Sequence, residues 1–167
     1  LLRHAIGGMA KTINDSMAIF APNANSYRRF RRNTYAPVAP TWGVNNRTVS
    51  LRIPSGPPKS RHVEHRISGA DANPYLAAAA VLAGMHHGIK NKIDPGPATT
   101  GNGYLTTTEG LMLNWYDALD SFEDSAFIKD YFGADFVKIF SAVKRAECER
   151  FFALVTDFDY RWHLRTA

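Results

Sequence analysis

The side chains best equipped for chemistry crowd into residues 47–66, which read as two short strands around the loop Ser55-Gly56-Pro57-Pro58-Lys59-Ser60. Thr48-Val49-Ser50-Leu51-Arg52-Ile53 alternates polar and apolar, so a pleated strand sends Val49, Leu51 and Ile53 to a core and Arg52 to the opposite face. Along residues 61–67, Val63 and Ile67 go one way and His62, Glu64 and Arg66 the other. If the Pro/Gly-rich loop reverses the chain, Arg52, Glu64 and Arg66 share one surface, with Arg47 at its rim. Guanidiniums bind phosphate and carboxylate oxygens through planar forks. One carboxylate among them suits a hard divalent cation that accompanies a nucleotide. The plainer reading of the same pattern is a solvated sheet face laced with cross-strand ion pairs.

The elements flanking this stretch must hold it in place. Ile6, Met9, Ala10, Ile13, Met17 and Phe20 recur at helical spacing, which predicts an amphipathic helix ending before Pro22 and weakened locally by Gly7-Gly8. Asn23-Ala24-Asn25-Ser26 is turn chemistry, and Tyr27-Arg28-Arg29-Phe30-Arg31-Arg32 then sets basic residues around two aromatics. That cluster suits a loop closing over a small anion, a nucleic-acid contact, or a solvated loop. The prolines of Tyr35-Ala36-Pro37-Val38-Ala39-Pro40 forbid helix and predict an extended entry to the hairpin. After the hairpin, Asn73 caps and Pro74 opens a helix whose residues 75–85 are apolar almost all round, as for a helix buried on every side. His86 and His87 are adjacent and so cannot form an i,i+4 metal pair on a helix. Further helices are expected over 109–122, 125–132 and 134–155. The last places Phe136, Val137, Phe140, Val143, Phe151, Phe152 and Val155 inside. The aromatic tail, residues 157–162, is suited to docking, for instance on a neighbouring subunit.

At 167 residues the chain has the size of one domain, and it opens without Met, inside an apparent helix. Its formal charge of +5 favours anionic ligands or simply solubility. The sole cysteine, Cys148, excludes an internal disulfide and a cysteine-cluster metal site, which fits a reducing compartment, by default the cytoplasm. No apolar run is long enough to span a bilayer.

Four blocks in order, Asn25-Ser26-Tyr27-Arg28-Arg29, Asn46-Arg47-Thr48 running to Arg52-Ile53-Pro54, Val63-Glu64-His65-Arg66, and Asn73-Pro74-Tyr75-Leu76-Ala77, resemble the C-terminal part of the glutamine synthetase superfamily. Ala36-Pro37 followed by Trp42-Gly43 looks like its γ-glutamylpolyamine synthetase branch. The resemblance implies an α+β fold, with the antiparallel sheet portion of the catalytic domain packed against helices and a helical C-terminal part. It makes 1–167 the latter portion of that domain, without the β-grasp domain or the upstream catalytic half. The reaction implied is phosphorylation of the glutamate side chain by ATP, then attack by an amine on the acyl phosphate. Arg29, Arg47 and Arg66 would then bind glutamate, with Arg47 and Arg66 catalytic. Arg47, Arg52 and Lys59 would bind ATP, and Glu64 would ligate Mg2+ or Mn2+. Homo-oligomers of stacked, dodecamer-like rings are implied too, without membrane or nucleic-acid partners.

Two departures stand out. Tyr35 occupies the flap position where ammonia-using members carry glutamate, which argues for a bulkier amine such as putrescine, or for an inactive paralogue. Arg61-His62 replaces the family's Arg-Arg pair, so one nucleotide-side arginine is lost or Arg61 has taken its place. Ammonia-using glutamine synthetase and a non-catalytic scaffold remain the alternative readings. With Glu64 as its lone metal carboxylate, the segment by itself is expected to be inactive.

Overall fold

The computed structural model describes residues 1–105 and 110–164. The predicted opening helix is α1, Leu2–Thr12, continued by a 3-10 turn, Asn14–Ser16, and by α2, Met17–Phe20. Ile6, Met9, Ile13, Met17 and Phe20 are buried. A single further turn, α3 (Ala24–Tyr27), replaces the simple turn expected at 23–26. Asn23 caps it and accepts from the backbone N–H groups of Asn25 and Ser26.

The fold class is the α+β expected, with a small mixed sheet ordered β1 (Trp42–Val44), β2 (Leu51–Ile53), β3 (Glu64–His65). The β2–β3 hairpin is antiparallel in the register Leu51↔His65 and Arg52↔Glu64. Its strands are shorter than the alternation suggested, and a 3-10 turn, Pro58–Ser60, occupies the loop. Strand β1 pairs with β2 in parallel, Trp42↔Leu51, across a connection of only residues 45–50. Parallel neighbours usually need a far longer crossover. Here Asn45 turns with a left-handed φ of 49° and Asn46 ties the return loop internally and to a neighbouring segment.

Helix α4, Pro74–Lys90, starts as predicted, with the Asn73 side chain accepting from Tyr75 N and Leu76 N and Pro74 at its first turn. Two expectations about it fail. Gly7-Gly8 does not merely weaken α1: a side chain at Gly8 would collide with the backbone of Gly84 and Gly88, and one at Gly88 with His4. The two helices therefore cross backbone against backbone, and glycine is required there. Nor is α4 buried on every side. Ala80, Ala83, Gly84 and Gly88 are, but Tyr75 is 84% exposed and Leu82 63%. Small residues form the closest contact, Leu76, Val81 and Met85 pack partly against the core beside them, and Tyr75 and Leu82 point away.

The chain ends in α5 (Trp115–Asp124), α6 (Ala126–Phe132), α7 (Ala134–Phe152) and α8 (Asp157–His163). α5 starts at Trp115, not 109, because the Asn114 side chain caps it through Asp117 N; Glu109 lies outside the described residues. The expected inner face of α7 is only half realised. Val137 is buried and Phe136 and Phe140 pack partly against the core, whereas Val143, Phe151 and Phe152 are exposed and Val155 lies beyond the helix. His86 and His87 sit near the end of α4, engaged with the Tyr131 hydroxyl and Asn91 respectively. Among the described residues, no helix is long and apolar enough to cross a membrane.

Candidate active site

The register of the hairpin sets the charges. Arg52 and Glu64 face each other across β2 and β3, and Arg52 Nε donates to Glu64 Oε2. Arg66 Nε stands 3.9 Å from the same oxygen, so one carboxylate is shared by two guanidiniums. Arg52, Glu64 and Arg66 thus meet on one face, as the alternation predicted. His62, expected on that face, is instead exposed in the loop, its Nδ1 2.7 Å from the Ser60 carbonyl.

Arg66 also reaches main chain from three segments. Its Nη1 donates to the carbonyls of Arg47 and of Val49, the latter at 3.1 Å, and Nη2 donates to the Tyr35 carbonyl at 2.9 Å. It therefore links the flap, the β1–β2 return loop and the hairpin. Arg29 does similar work one layer away: Nη1 donates to Arg66 O at 3.3 Å, Nη2 to Ile67 O, and the guanidinium lies 4.5 Å from the Phe30 ring centre. Burial lowers the Arg29 pKa, against the attraction of Asp71. Burial raises that of Asp71, but hydrogen bonds from Ser26 Oγ (2.6 Å) and Asn23 Nδ2 (2.9 Å), with the Arg29 charge, bring it below the usual carboxylate range. Asparagine, serine, aspartate and arginine thus lock α3 to the end of β3.

Arg47 is different. Its loop is fixed by Asn46, whose Nδ2 donates to the carbonyls of Thr99 (3.1 Å) and Gly101 (2.9 Å) and whose Oδ1 accepts from Thr48 N and Oγ1. Its side chain is exposed and lines an open cleft of about 560 Å³ with Asn45, Asn46 and Thr99. Lys59 stands exposed on the Pro58–Ser60 turn, and among the described residues no hydrogen bond or ion pair joins it to the cluster. A cavity of about 640 Å³ lies elsewhere, among Arg28, Phe151, Phe152 and Phe158. Volume favours that cavity, but the density of anion-binding groups favours the arginine wall.

Tyr35 is 64% exposed and adopts a left-handed φ of 58°, as does Asn33 at 64°. Such a backbone is costly for a bulky residue and persists only where surroundings over-determine it. Arg66 holds the Tyr35 carbonyl, the buried Tyr104 hydroxyl donates to Ala36 O at 3.0 Å, and Arg32 Nη1 donates to Tyr104 O at 3.0 Å.

Sequence reasoning overlooked Tyr104 and His65. His65 packs on Phe20 at 4.5 Å between ring centres, and its buried Nδ1 has no hydrogen-bond partner among the described residues. Burial lowers its pKa to about 4. No pattern rule marks Tyr104, whose partner Ala36 lies 68 positions away.

A divalent ion needs about six oxygen ligands. Glu64 is already shared by two arginines, and among the described residues no group of three or more His, Cys, Asp or Glu side chains could hold a metal. By themselves, then, these residues do not make a magnesium or manganese site.

The model of the glutamine synthetase catalytic domain matches residues 1–163. The chain belongs to the glutamine synthetase family. It is 40% identical over its whole length to γ-glutamylputrescine synthetase PuuA of Escherichia coli, covering 35% of that protein. Over 96% of its length it is 34% identical to γ-glutamylethanolamide synthetase GlnA4 of Streptomyces coelicolor, again covering 35%. The chain therefore spans about a third of the length of these glutamine synthetase relatives. The solved GmaS/ADP complex superposes with a TM-score of 0.87 at 31% identity, over 98% of this chain and 39% of that one.

Proposed function

We propose that this chain forms one wall of the active site of an ATP-dependent ligase that joins the glutamate γ-carboxylate to an amine, most specifically a polyamine such as putrescine, in the cytoplasm. The observation that carries the reading is the convergence of Arg52, Glu64 and Arg66 from neighbouring strands, with Arg47 on a braced loop beside them. Family membership and the names of the relatives support it.

In the proposed reaction ATP phosphorylates the γ-carboxylate. The amine nitrogen then attacks the acyl carbon, the C–N bond forms as the C–O bond to phosphate breaks, and the amide, ADP and phosphate leave. Phosphoryl transfer relies mainly on positioning and charge neutralisation. Arg47 bridges glutamate and the transferred group, and its exposed guanidinium leaves its donors open for that role. Arg52, with Lys59, meets the nucleotide phosphates. Arg29 and Arg66 face the glutamate, and their hydrogen bonds to main-chain carbonyls keep that part of the wall in shape. Glu64 is one candidate ligand for Mg2+ or Mn2+. Among the described residues no group of three or more acidic, His or Cys side chains could hold the ion, and the 167-residue chain alone is expected not to turn over. The exposed aromatics of α7 and α8 suit contacts between copies in stacked rings.

The test is amine-dependent phosphate release by the complete enzyme. Faster release with putrescine than with ammonia is expected, and equal rates would remove the claim for a polyamine. A non-catalytic scaffold is favoured by Tyr35 at the flap. Nucleotide binding without turnover in the complete enzyme would decide for it.

A further inference from the structure

The end of α1, the 3-10 turn after it, the last turn of α4 and the start of α6 meet around a cavity of about 460 Å³, lined by Lys11, Asn14, Asp15, Pro40, His87 and Phe127. It shares no residue with the arginine wall. We propose that this cavity binds a free α-amino acid with an apolar side chain, as its zwitterion. The ligase reading uses none of these residues, so the site stands or falls independently of it.

Asp15 is the group that asks for an ammonium. Its half-buried carboxylate accepts from the Ser121 hydroxyl at 3.5 Å, and among the described residues no cation lies within ion-pair distance of it. Burial raises its pKa, and the Ser125 and Ser121 hydroxyls and the charges of His87 and Lys11 offset this only in part. The ionised carboxylate is therefore short of counter-charge, and a ligand ammonium supplies it. The same ammonium can rest against the Phe127 ring.

Lys11 and His87 supply the opposite half. Lys11 is exposed, and among the described residues no hydrogen bond or ion pair engages it. The Asn91 side-chain amide nitrogen, a donor, lies 3.3 Å from His87 Nδ1, which therefore accepts. That leaves the ring proton on Nε2, for which no partner is found among the described residues. An ammonium and an imidazole N–H are then free for one carboxylate. Lys11 disfavours a diamine and Asp15 disfavours a phosphate or a simple carboxylic acid, whereas a ligand carrying both charges close together satisfies both. Pro40 and Phe127 are left for its apolar side chain.

The wall is set in advance. Asn14 Nδ2 donates to Gly110 O at 3.1 Å, its Oδ1 accepts from Met112 N at 3.0 Å, and His87 meets the Phe127 ring edge-on at 5.2 Å between ring centres. A preformed cavity of this size falls within the range of small-ligand sites, about 300–1,000 Å³.

The experiment is calorimetric titration of L-leucine into the complete enzyme, wild type and the variants Asp15→Asn and Lys11→Met. The controls are 3-methylbutylamine, which lacks the carboxylate, and 4-methylpentanoate, which lacks the ammonium. Leucine should bind the wild type, and its Kd should rise by about tenfold or more in each variant, the scale of a hydrogen bond between charged groups. Excess glutamate should not displace it, and phosphate release and melting temperature without leucine should match wild type in both variants. No binding of leucine by the wild type, an unchanged Kd in either variant, or displacement by glutamate would each overturn the site. So would a control that binds as tightly as leucine and is weakened equally by the same variants.

Discussion

Around β2 and β3 the charged side chains turn towards one another and towards main-chain carbonyls, whereas along α7 and α8 aromatic rings turn to solvent. The contrast runs against the usual arrangement, in which charge faces water and rings face the core. In the first region Arg66 alone joins three segments, and Arg29 and Asp71 fix a fourth. In the second, Phe152 is 53% exposed, Phe158 62% and Trp162 62%. Polar groups are fixed by one another and by main-chain carbonyls in the first region, and apolar groups are left uncovered in the second. Within the first region Arg47 is the exception, a guanidinium exposed on a rigid loop.

That exception is the most direct way to break the contrast. Arg47→Ala in the complete enzyme should lower kcat for phosphate release by about a thousandfold, the scale for an arginine that neutralises a transferring phosphoryl group. The melting temperature should hold, because among the described residues no hydrogen bond or ion pair engages the Arg47 side chain. A fall of less than tenfold would place Arg47 outside the reacting centre and remove the distinction between the exposed arginine and the braced ones.

The second way sets two phenylalanines against each other. Phe122 is fully buried and 5.0 Å from Phe140 between ring centres, so Phe122→Ala should destabilise by about 4 kcal/mol. Phe152 stacks on Tyr116 and meets Phe151 edge-on, both of them exposed, and Phe152→Ala should cost under about 1 kcal/mol in the isolated chain. Urea unfolding of both variants checks this. Equal losses would mean that the aromatics of α7 belong to the core after all.

Much of the first region was legible because its signals are local. Alternation fixed which side Arg52, Glu64 and Arg66 take, and Asn73-Pro74 fixed where α4 begins. The parallel strand β1 was not legible, since Trp42-Gly43-Val44 is three residues long and its pairing depends on Asn46 reaching Thr99 and Gly101. The glycine crossing of α1 and α4 was hidden for a related reason. Gly8 and Gly84 are ordinary helix weakeners until the two backbones are seen to touch. Composition likewise overstated the burial of α4 and α7, because apolar content says how much surface can be covered and not whether anything covers it. In the site, residue types were readable but their engagements were not: nothing in the sequence says that Arg66 grips carbonyls while Arg47 does not.

His65 sharpens the contrast through pH. Its ring is held neutral against Phe20, with the pKa lowered from 6.5 to about 4 by burial. The unfolded chain takes up the proton first, so the stabilisation is complete above pH 6.5 and is lost as pH falls towards 4. The loss should amount to at most about 3 kcal/mol. His65→Phe keeps an aromatic against Phe20 and should flatten this window relative to wild type. An unchanged pH profile would show that the imidazole finds its proton partner in the folded state.

The smallest effect concerns an ion pair of the helical region that has the same chemistry as the wall but none of its connections. Arg145 meets Glu123 bidentately, at 2.7 Å for both contacts, and Asp120 at 2.5 Å. The hydrogen bond to Arg145, followed by its charge, holds the Glu123 carboxyl below the usual range despite some burial, and the Arg145 pKa is raised in turn. All three groups touch solvent, so screening leaves the network worth about 1 kcal/mol. Arg145→Lys, which loses the bidentate fork, should lower stability by that amount or less, and the difference should shrink at high salt. Turnover of the complete enzyme should not change. A loss of several kcal/mol that salt does not diminish would mean that this pair, like Arg66 in the wall, is braced from several directions, and the division between the two regions would no longer hold.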